Sequence, residues 1–264
     1  MKKVNKSSSP TELTAFLRAN SQASWNHFKS HGRTAYQQTK KTLLADQGGL
    51  CAYCEKKLDN LPIHLQRVEH FHPKSDTSDP NKNWNLEWQN LLAVCTGGSQ
   101  ISDTDHRQHP LPDNLSCDAY KDTCITANKL NVDCEGYVLN PLELNSTLCF
   151  FSFDKATGEL RPNEQFCQTV NFTGTNNYAN FYELLTKTIQ FLNLNCQRLC
   201  DDRLVVLKHY NQEIAKARRI GDKLIHRKLA SRWFSETWPS FFTTRRILLG
   251  DHAEIVLTKQ NYNG

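Results

Sequence analysis

The sequence predicts an α+β fold, mainly helical, with a small ββα unit near the front, a β-hairpin in the middle and a helical C-terminal part. Three observations predict it. Residues 51 to 121 alternate short apolar runs with cysteines and long polar loops. Residues 147 to 162 alternate loosely around the turn Ala156-Thr157-Gly158, a hairpin pattern. After Asn176 the apolar residues recur at helical spacing.

Composition narrows the class. A chain of 264 residues with 38% hydrophobic and 22% charged residues can bury a sizeable core and is not of disordered composition. The basic start, Met1-Lys2-Lys3, has no apolar h-region behind it, so export is not expected. The longest apolar runs, such as Leu204-Val205-Val206-Leu207, are too short to span a membrane. Ten cysteines without a signal peptide fit a reducing cytoplasm, with some thiolates on zinc. The net charge of +5 is modest, but residues 203 to 232 carry nine Lys/Arg against Glu213 and Asp222. Such a stripe suits a polyanion, and a solvated helix face is the plain alternative.

In chain order, residues 1 to 8 read as a loose tail. Ser9-Pro10-Thr11-Glu12 reads as a helix start, with Ser9 as cap, Pro10 at the first helical position and Glu12 closing a capping box. A second helix is expected from about Thr34 to Asp46, stopped by Gly48-Gly49. Residues 73 to 87, with Pro73 and Pro80, read as a loop between two short strands. Residues 96 to 116 form a second long loop, and loops of that length are usually functional. Helices are expected around Leu184 to Leu192 and Leu199 to Ala217, with a break at Trp238-Pro239 before a last apolar segment at 247 to 249. The expected division is 1–49 as N-terminal helices, 50–135 as the core unit, and 136–264 as hairpin and helices packed with that core.

Cys51-Ala52-Tyr53-Cys54 is half of a tetrahedral zinc site. Cys95, after an apolar run, and Cys117, opening a helix, are the expected second half, with His106, His109 and Cys124 as rivals for the fourth place. Four unlinked buried thiols are the plain alternative. Such a zinc would be structural.

Glu69 and His70 sit on an expected strand, so their side chains face opposite ways unless the strand ends there. A histidine near neutral pKa can take a proton from water. Glu69, with Asp118 at the start of the next helix, could hold Mg²⁺ or Mn²⁺, which would grip a scissile phosphate. Asn90 suits a brace for the 73 to 87 loop rather than a ligand. Taken singly, each has a bland role: a surface or core histidine, an exposed acid, a helix cap, a turn residue.

The order C-x-x-C, Glu69-His70-Phe71-x-Pro73-Lys74, Trp88-x-Asn90-Leu91-Leu92-x-x-Cys95, Cys117-Asp118-x-x-Lys121 resembles the HNH (ββα-metal) endonucleases. Within them it is most like PtuB, the nuclease subunit of Septu antiphage systems, some of which occur with retrons. Asn140-Pro141-Leu142, Gly158-Glu159-Leu160-Arg161-Pro162 and the stretch Thr188 to Asn195 with Arg203 downstream extend the likeness over most of residues 50 to 205. The resemblance implies that His70 is the general base, Glu69 a ligand of the catalytic cation and Asn90 the middle asparagine. Asp118 stands where the family usually has Asn or His as a metal ligand. Lys121 matches a basic residue that touches phosphate. The resemblance also implies a PtuA-type ATPase partner and, for retron members, an assembly with reverse transcriptase and its DNA product. The expected substrate is nucleic acid, DNA or RNA, since the metal-ester chemistry does not choose between them, and an RNA- or tRNA-cutting toxin of the same fold is the near alternative. From a different class comes a zinc-stabilised nucleic-acid- or protein-binding module without catalysis.

Overall fold

The computed structural model describes every residue except Asp103 and Glu236. Its first residues are pinned rather than loose. Met1 and Val4 are buried, and Val4 donates its backbone N–H to Pro141 O at 3.0 Å. Lys6 Nζ donates to Leu91 O at 2.6 Å and lies 3.9 Å above the Trp88 ring. Two apolar letters among lysines and serines are enough to seat the segment.

Helix α1 (Thr11–Ala19) starts one residue later than its capping box implies. Pro10 is the N-cap and has no side chain to offer, while Ser9 Oγ is used by the Thr14 hydroxyl at 3.2 Å. A helix that the sequence did not announce follows, α2 (Trp25–His31). Ser24 Oγ caps it by accepting from His27 N–H, and Trp25 and Phe28 are buried beneath it. Helix α3 (Arg33–Asp46) fills the expected span and ends at Gly48 and Gly49, whose φ values of 65° and 75° lie in the left-handed region open to glycine.

Strand β1 (Arg67–His70) pairs antiparallel with β2 (Leu91–Val94), with Arg67 opposite Val94 and His70 opposite Leu91. The 73 to 87 loop joins them. After the 96 to 116 loop comes helix α4 (Cys117–Thr126), which gives the chain order ββα. The central hairpin is shorter than expected: only β3 (Phe151–Phe153) and β4 (Leu160–Pro162) pair. Its turn is closed by Asp154 Oδ1, which accepts from the N–H of Ala156 and Thr157.

Helices α5 (Glu164–Thr169) and α6 (Phe181–Phe191) lead to the longest helix, α7 (Gln197–Arg219). Then come α8 (Ile225–Trp233), α9 (Phe242–Leu249) and α10 (Asp251–Lys259). The apolar segment at 247 to 249 is the end of α9, and α10 beyond it was not foreseen. One apolar cluster takes in Leu43, β2, Leu184 and Leu199; a second gathers Leu50, Ile214, Leu229, Trp233, Phe234, Phe242 and Leu257. The aromatic residues at 233 to 242 thus fill the chain's own core. Among the described residues no helix is long and apolar enough to cross a membrane.

Candidate metal centre and active site

The knuckle at Cys51 is built by the backbone. Cys51 N–H donates to Lys56 O at 2.9 Å, Glu55 N–H returns to Cys51 O, and Glu55 turns the chain at φ 65°. Cys95 leaves the end of β2 and Cys117 opens α4, so three separate stretches deliver sulfur to one point. The four ligand atoms of Cys51, Cys54, Cys95 and Cys117 lie within 4.8 Å of one another, all in buried residues. The sulfur separations include 3.6 Å for Cys54–Cys95, 3.7 Å for Cys95–Cys117 and 3.9 Å for Cys51–Cys117. A zinc tetrahedron with Zn–S near ~2.3 Å requires sulfurs roughly 3.8 Å apart, so the donor set fits zinc in kind and in size.

Backbone N–H groups also point at the sulfurs. Cys95 N–H donates to Cys51 Sγ at 3.4 Å and Gly97 N–H to Cys95 Sγ at 3.3 Å. Gly97 must be glycine here, because a Cβ would meet Ser116 O at 2.2 Å and its φ is 68°. Burial pushes the Cys51 and Cys117 thiols well up, while hydrogen bonds from Cys117, Cys51 and Cys95 hold Cys54 well down. The rivals are engaged elsewhere. His106 meets Gly98 O at 2.9 Å, His109 meets Asp201 at 2.9 Å, and Cys124 is outside the thiol group.

Strand alternation separates Glu69 from His70. Glu69 turns inward, 6% exposed, toward α4. There it pairs with Lys121, whose Nζ is also 3.9 Å from Asp118 Oδ1. Burial works to lower the Lys121 ammonium, but Glu69, Cys134 and Asp118 together outweigh that and hold it above the ordinary lysine range. Burial pushes the Glu69 carboxyl well up; Lys121 opposes this and Asp118 adds to it. The two carboxyl groups at the junction of β1 and α4 are the oxygen donors on offer to a hard divalent cation. Lys121 is 3% exposed, so it faces this acid pair rather than the surface on which a phosphate contact was expected.

His70 closes β1 on the other side. Its ring meets Trp25 edge-on at 4.6 Å, and its Nε2 lies 3.0 Å from Asn85 O. A carbonyl only accepts, so Nε2 carries the hydrogen and Nδ1 keeps the lone pair. Burial brings the His70 pKa down to about 4, against the opposing pull of the Asn85 carbonyl, so the ring is neutral at pH 7. His70 and the Glu69–Asp118 pair do not form one ligand group within 4.8 Å among the described residues. The charges of Asp118 and Lys121 nevertheless reach the His70 ring.

Asn90 ties the loop after His70. Its Nδ2 donates to His72 O at 3.0 Å and to Trp84 O at 2.9 Å, and its Oδ1 accepts from His72 N–H at 2.6 Å. A residue that the sequence left unremarked stands at the same turn. His72 lies between Glu135 at Nδ1 and Asp76 at Nε2, both at 2.8 Å, with the Trp84 ring 3.8 Å away. Burial works to lower its pKa; Glu135 and Asp76 outweigh it and raise it. His72 and Glu135 are sixty-three positions apart, so the sequence left no local signal for this contact.

A two-stranded sheet followed by a helix, with four buried cysteines that could hold a metal ion, is an α+β unit with Glu69 and His70 at the end of its first strand. No family model matches the chain. A protein of Escherichia coli, named by assignment as the HNH endonuclease of retron Ec83, is 41% identical over 254 residues, covering 95% of this chain and 95% of its own. The chain belongs to the HNH endonuclease family and is a nuclease by that membership.

Proposed function

We propose that the protein is a cation-dependent endonuclease that hydrolyses phosphodiester bonds of nucleic acid, as the effector of a retron- or Septu-type antiphage system. The observation that carries the catalytic reading is the adjacency in chain of a buried acid, Glu69, facing Asp118, and a neutral histidine, His70, with a free lone pair. In this reading residues 50–135 form the nuclease core. His70 Nδ1 removes the proton from the attacking water. Asn85 fixes the tautomer, and Asn90 fixes the loop on which the Asn85 carbonyl depends. Glu69 and Asp118 hold the divalent cation, Mg²⁺ or Mn²⁺, and Lys121 limits their mutual repulsion. When bound, that cation supplies charge stabilisation to the phosphate and the leaving oxygen. Cys51, Cys54, Cys95 and Cys117 hold a structural zinc.

The substrate's backbone would meet the exposed cations of α7, α8 and the turn between them: Lys208, Lys216, Arg218, Arg219, Lys223 and Arg227 among them. Arg203 drops out of this stripe, being buried at 1% exposure. Lys228 and Arg232 are exposed pairs with Asp222 and Glu213, which contribute little to stability and remain open to phosphate. Binding should weaken steeply with salt. A PtuA-type ATPase and a retron reverse transcriptase with its DNA are the partners that the family likeness supports.

Purified zinc-loaded protein is expected to nick supercoiled plasmid only when Mg²⁺ or Mn²⁺ is present, tested with and without the ATPase. Total tRNA is the parallel substrate, and cutting of tRNA alone would make the enzyme an RNA-directed toxin. No cutting of either, with zinc bound and the fold intact, would leave a zinc-stabilised binding module in its place.

A further inference from the structure

Helix α7 carries two arginines into the interior, and among the described residues neither pairs with a carboxylate. Arg198 is 4% exposed and Arg203 1%. Their hydrogen bonds go to uncharged acceptors: Arg198 Nη2 to Ser116 Oγ at 2.8 Å, Arg203 Nη1 to Gly158 O at 3.1 Å and Arg203 Nη2 to Leu194 O at 2.5 Å. Arg198 Nε is buried without any partner. Among the described residues no ion pair within 4.0 Å involves either side chain; the buried pairs use Met1, Lys121 and Arg246 instead. Arginine cannot shed its proton to escape such a position. A buried cation without an anion is strongly unfavourable, so the interior itself must supply the negative charge.

The sulfur cluster is the available source. Four thiolates around one Zn²⁺ leave two negative charges in excess. Arg198 reaches them through a single hydroxyl: Ser116 Oγ accepts from Nη2 and lies 3.6 Å from Cys117 Sγ, to which it donates. The guanidinium passes so near the loop after Cys95 that a Cβ on Gly98 would stand 2.9 Å from Nε and 3.1 Å from Cζ. Arg203 lies further along α7, 4.0 Å from Cys200 Sγ, which is outside the four, and 6.0 Å from the centre of the Phe241 ring.

We propose that Arg198 is a counter-cation of the metal-loaded tetrathiolate, so that loading the metal favours the seating of α7 against the cysteine knuckle. Its buried positive charge offsets part of the two negative charges that the thiolates leave in excess. With metal bound, α7 is tied to the nuclease core by charge as well as by packing. This inference rests on the reading that the four thiols hold zinc.

The test compares wild type with Arg198→Met and Arg198→Lys in full-length protein, with Arg203→Met as the control for loss of a buried arginine away from the four sulfurs. Zinc content is measured directly, zinc affinity by competition with a chromophoric chelator, and thermal midpoints with and without metal. Zinc affinity is expected to fall roughly 10–100-fold in Arg198→Met, the usual scale for partners of metal ligands. The gap between metal-loaded and metal-free midpoints should narrow in Arg198→Met, because the charge that favours the metal-loaded form is gone. If Arg198→Met fails to fold, Arg198→Lys carries the same comparison. Lysine should retain more affinity than methionine, and Arg198→Met should shift the thiolate-to-cobalt absorption of Co²⁺-loaded protein. Unchanged affinity with an unchanged gap would overturn the counter-cation role. A wild type that binds no zinc would overturn the zinc reading itself, a result distinct from the first.

Discussion

His70→Ala is expected to slow phosphodiester cleavage by about 10²–10⁴-fold, the range that a positioned general base contributes, while zinc content and fold stay as in wild type. The expectation follows from where the ring is. His70 ends β1, outside the thiol cluster, held by Trp25 and by the Asn85 carbonyl. Its burial brings its pKa down to about 4, so near neutral pH the ring is unprotonated, the state that a general base needs. Turnover on plasmid, metal analysis and circular dichroism on the same preparation check all three parts. Loss of zinc together with activity would make the histidine structural, and undiminished turnover would move the base elsewhere.

The second large effect concerns the sulfur cluster. Cys51→Ser removes the sulfur that accepts from Cys95 N–H and lies 3.9 Å from Cys117 Sγ. Structural zinc in small domains is worth on the order of 10–16 kcal/mol of binding energy. Here a large apolar core shares the task, so a smaller part of it should be lost. A loss of about 4 kcal/mol corresponds to ~10 °C or more in the melting midpoint of a chain this size. Zinc should be absent from the variant, and the plasmid assay should fall with it. A variant that keeps zinc and melts like wild type would remove the cluster from the stability of the fold.

Much of the site was legible because its chemistry is written in residue types. Cysteine pairs at Cys51/Cys54 and singly at Cys95 and Cys117 announced one sulfur point, and the structure brings those four together. The end of α3 was legible from two adjacent glycines. What escaped depended on distant or uncharged partners. Residues 1 to 8 read as a tail because their anchors, Met1 and Val4, find their pockets far along the chain. Helix α2 is seven residues of mixed polarity, too short for a period to emerge, and is fixed by the Ser24 cap and the packing of Trp25 and Phe28. Arg203 looked like one more cation of a basic stripe, because a letter cannot reveal that backbone carbonyls of Gly158 and Leu194 await it inside. Lys121 looked like a phosphate contact for the same reason: its partner Glu69 is fifty-two residues away.

The acid pair is tested most directly by the rate of plasmid cleavage as Mg²⁺ is returned to zinc-loaded protein stripped of weakly held cations. Wild type is measured beside Glu69→Gln. Wild type is predicted to rise saturably from a negligible rate, and Glu69→Gln to stay near that starting rate at cation levels that saturate wild type. Cleavage by cation-free wild type, or a Glu69→Gln curve that matches it, would contradict a nuclease whose cation is held between Glu69 and Asp118.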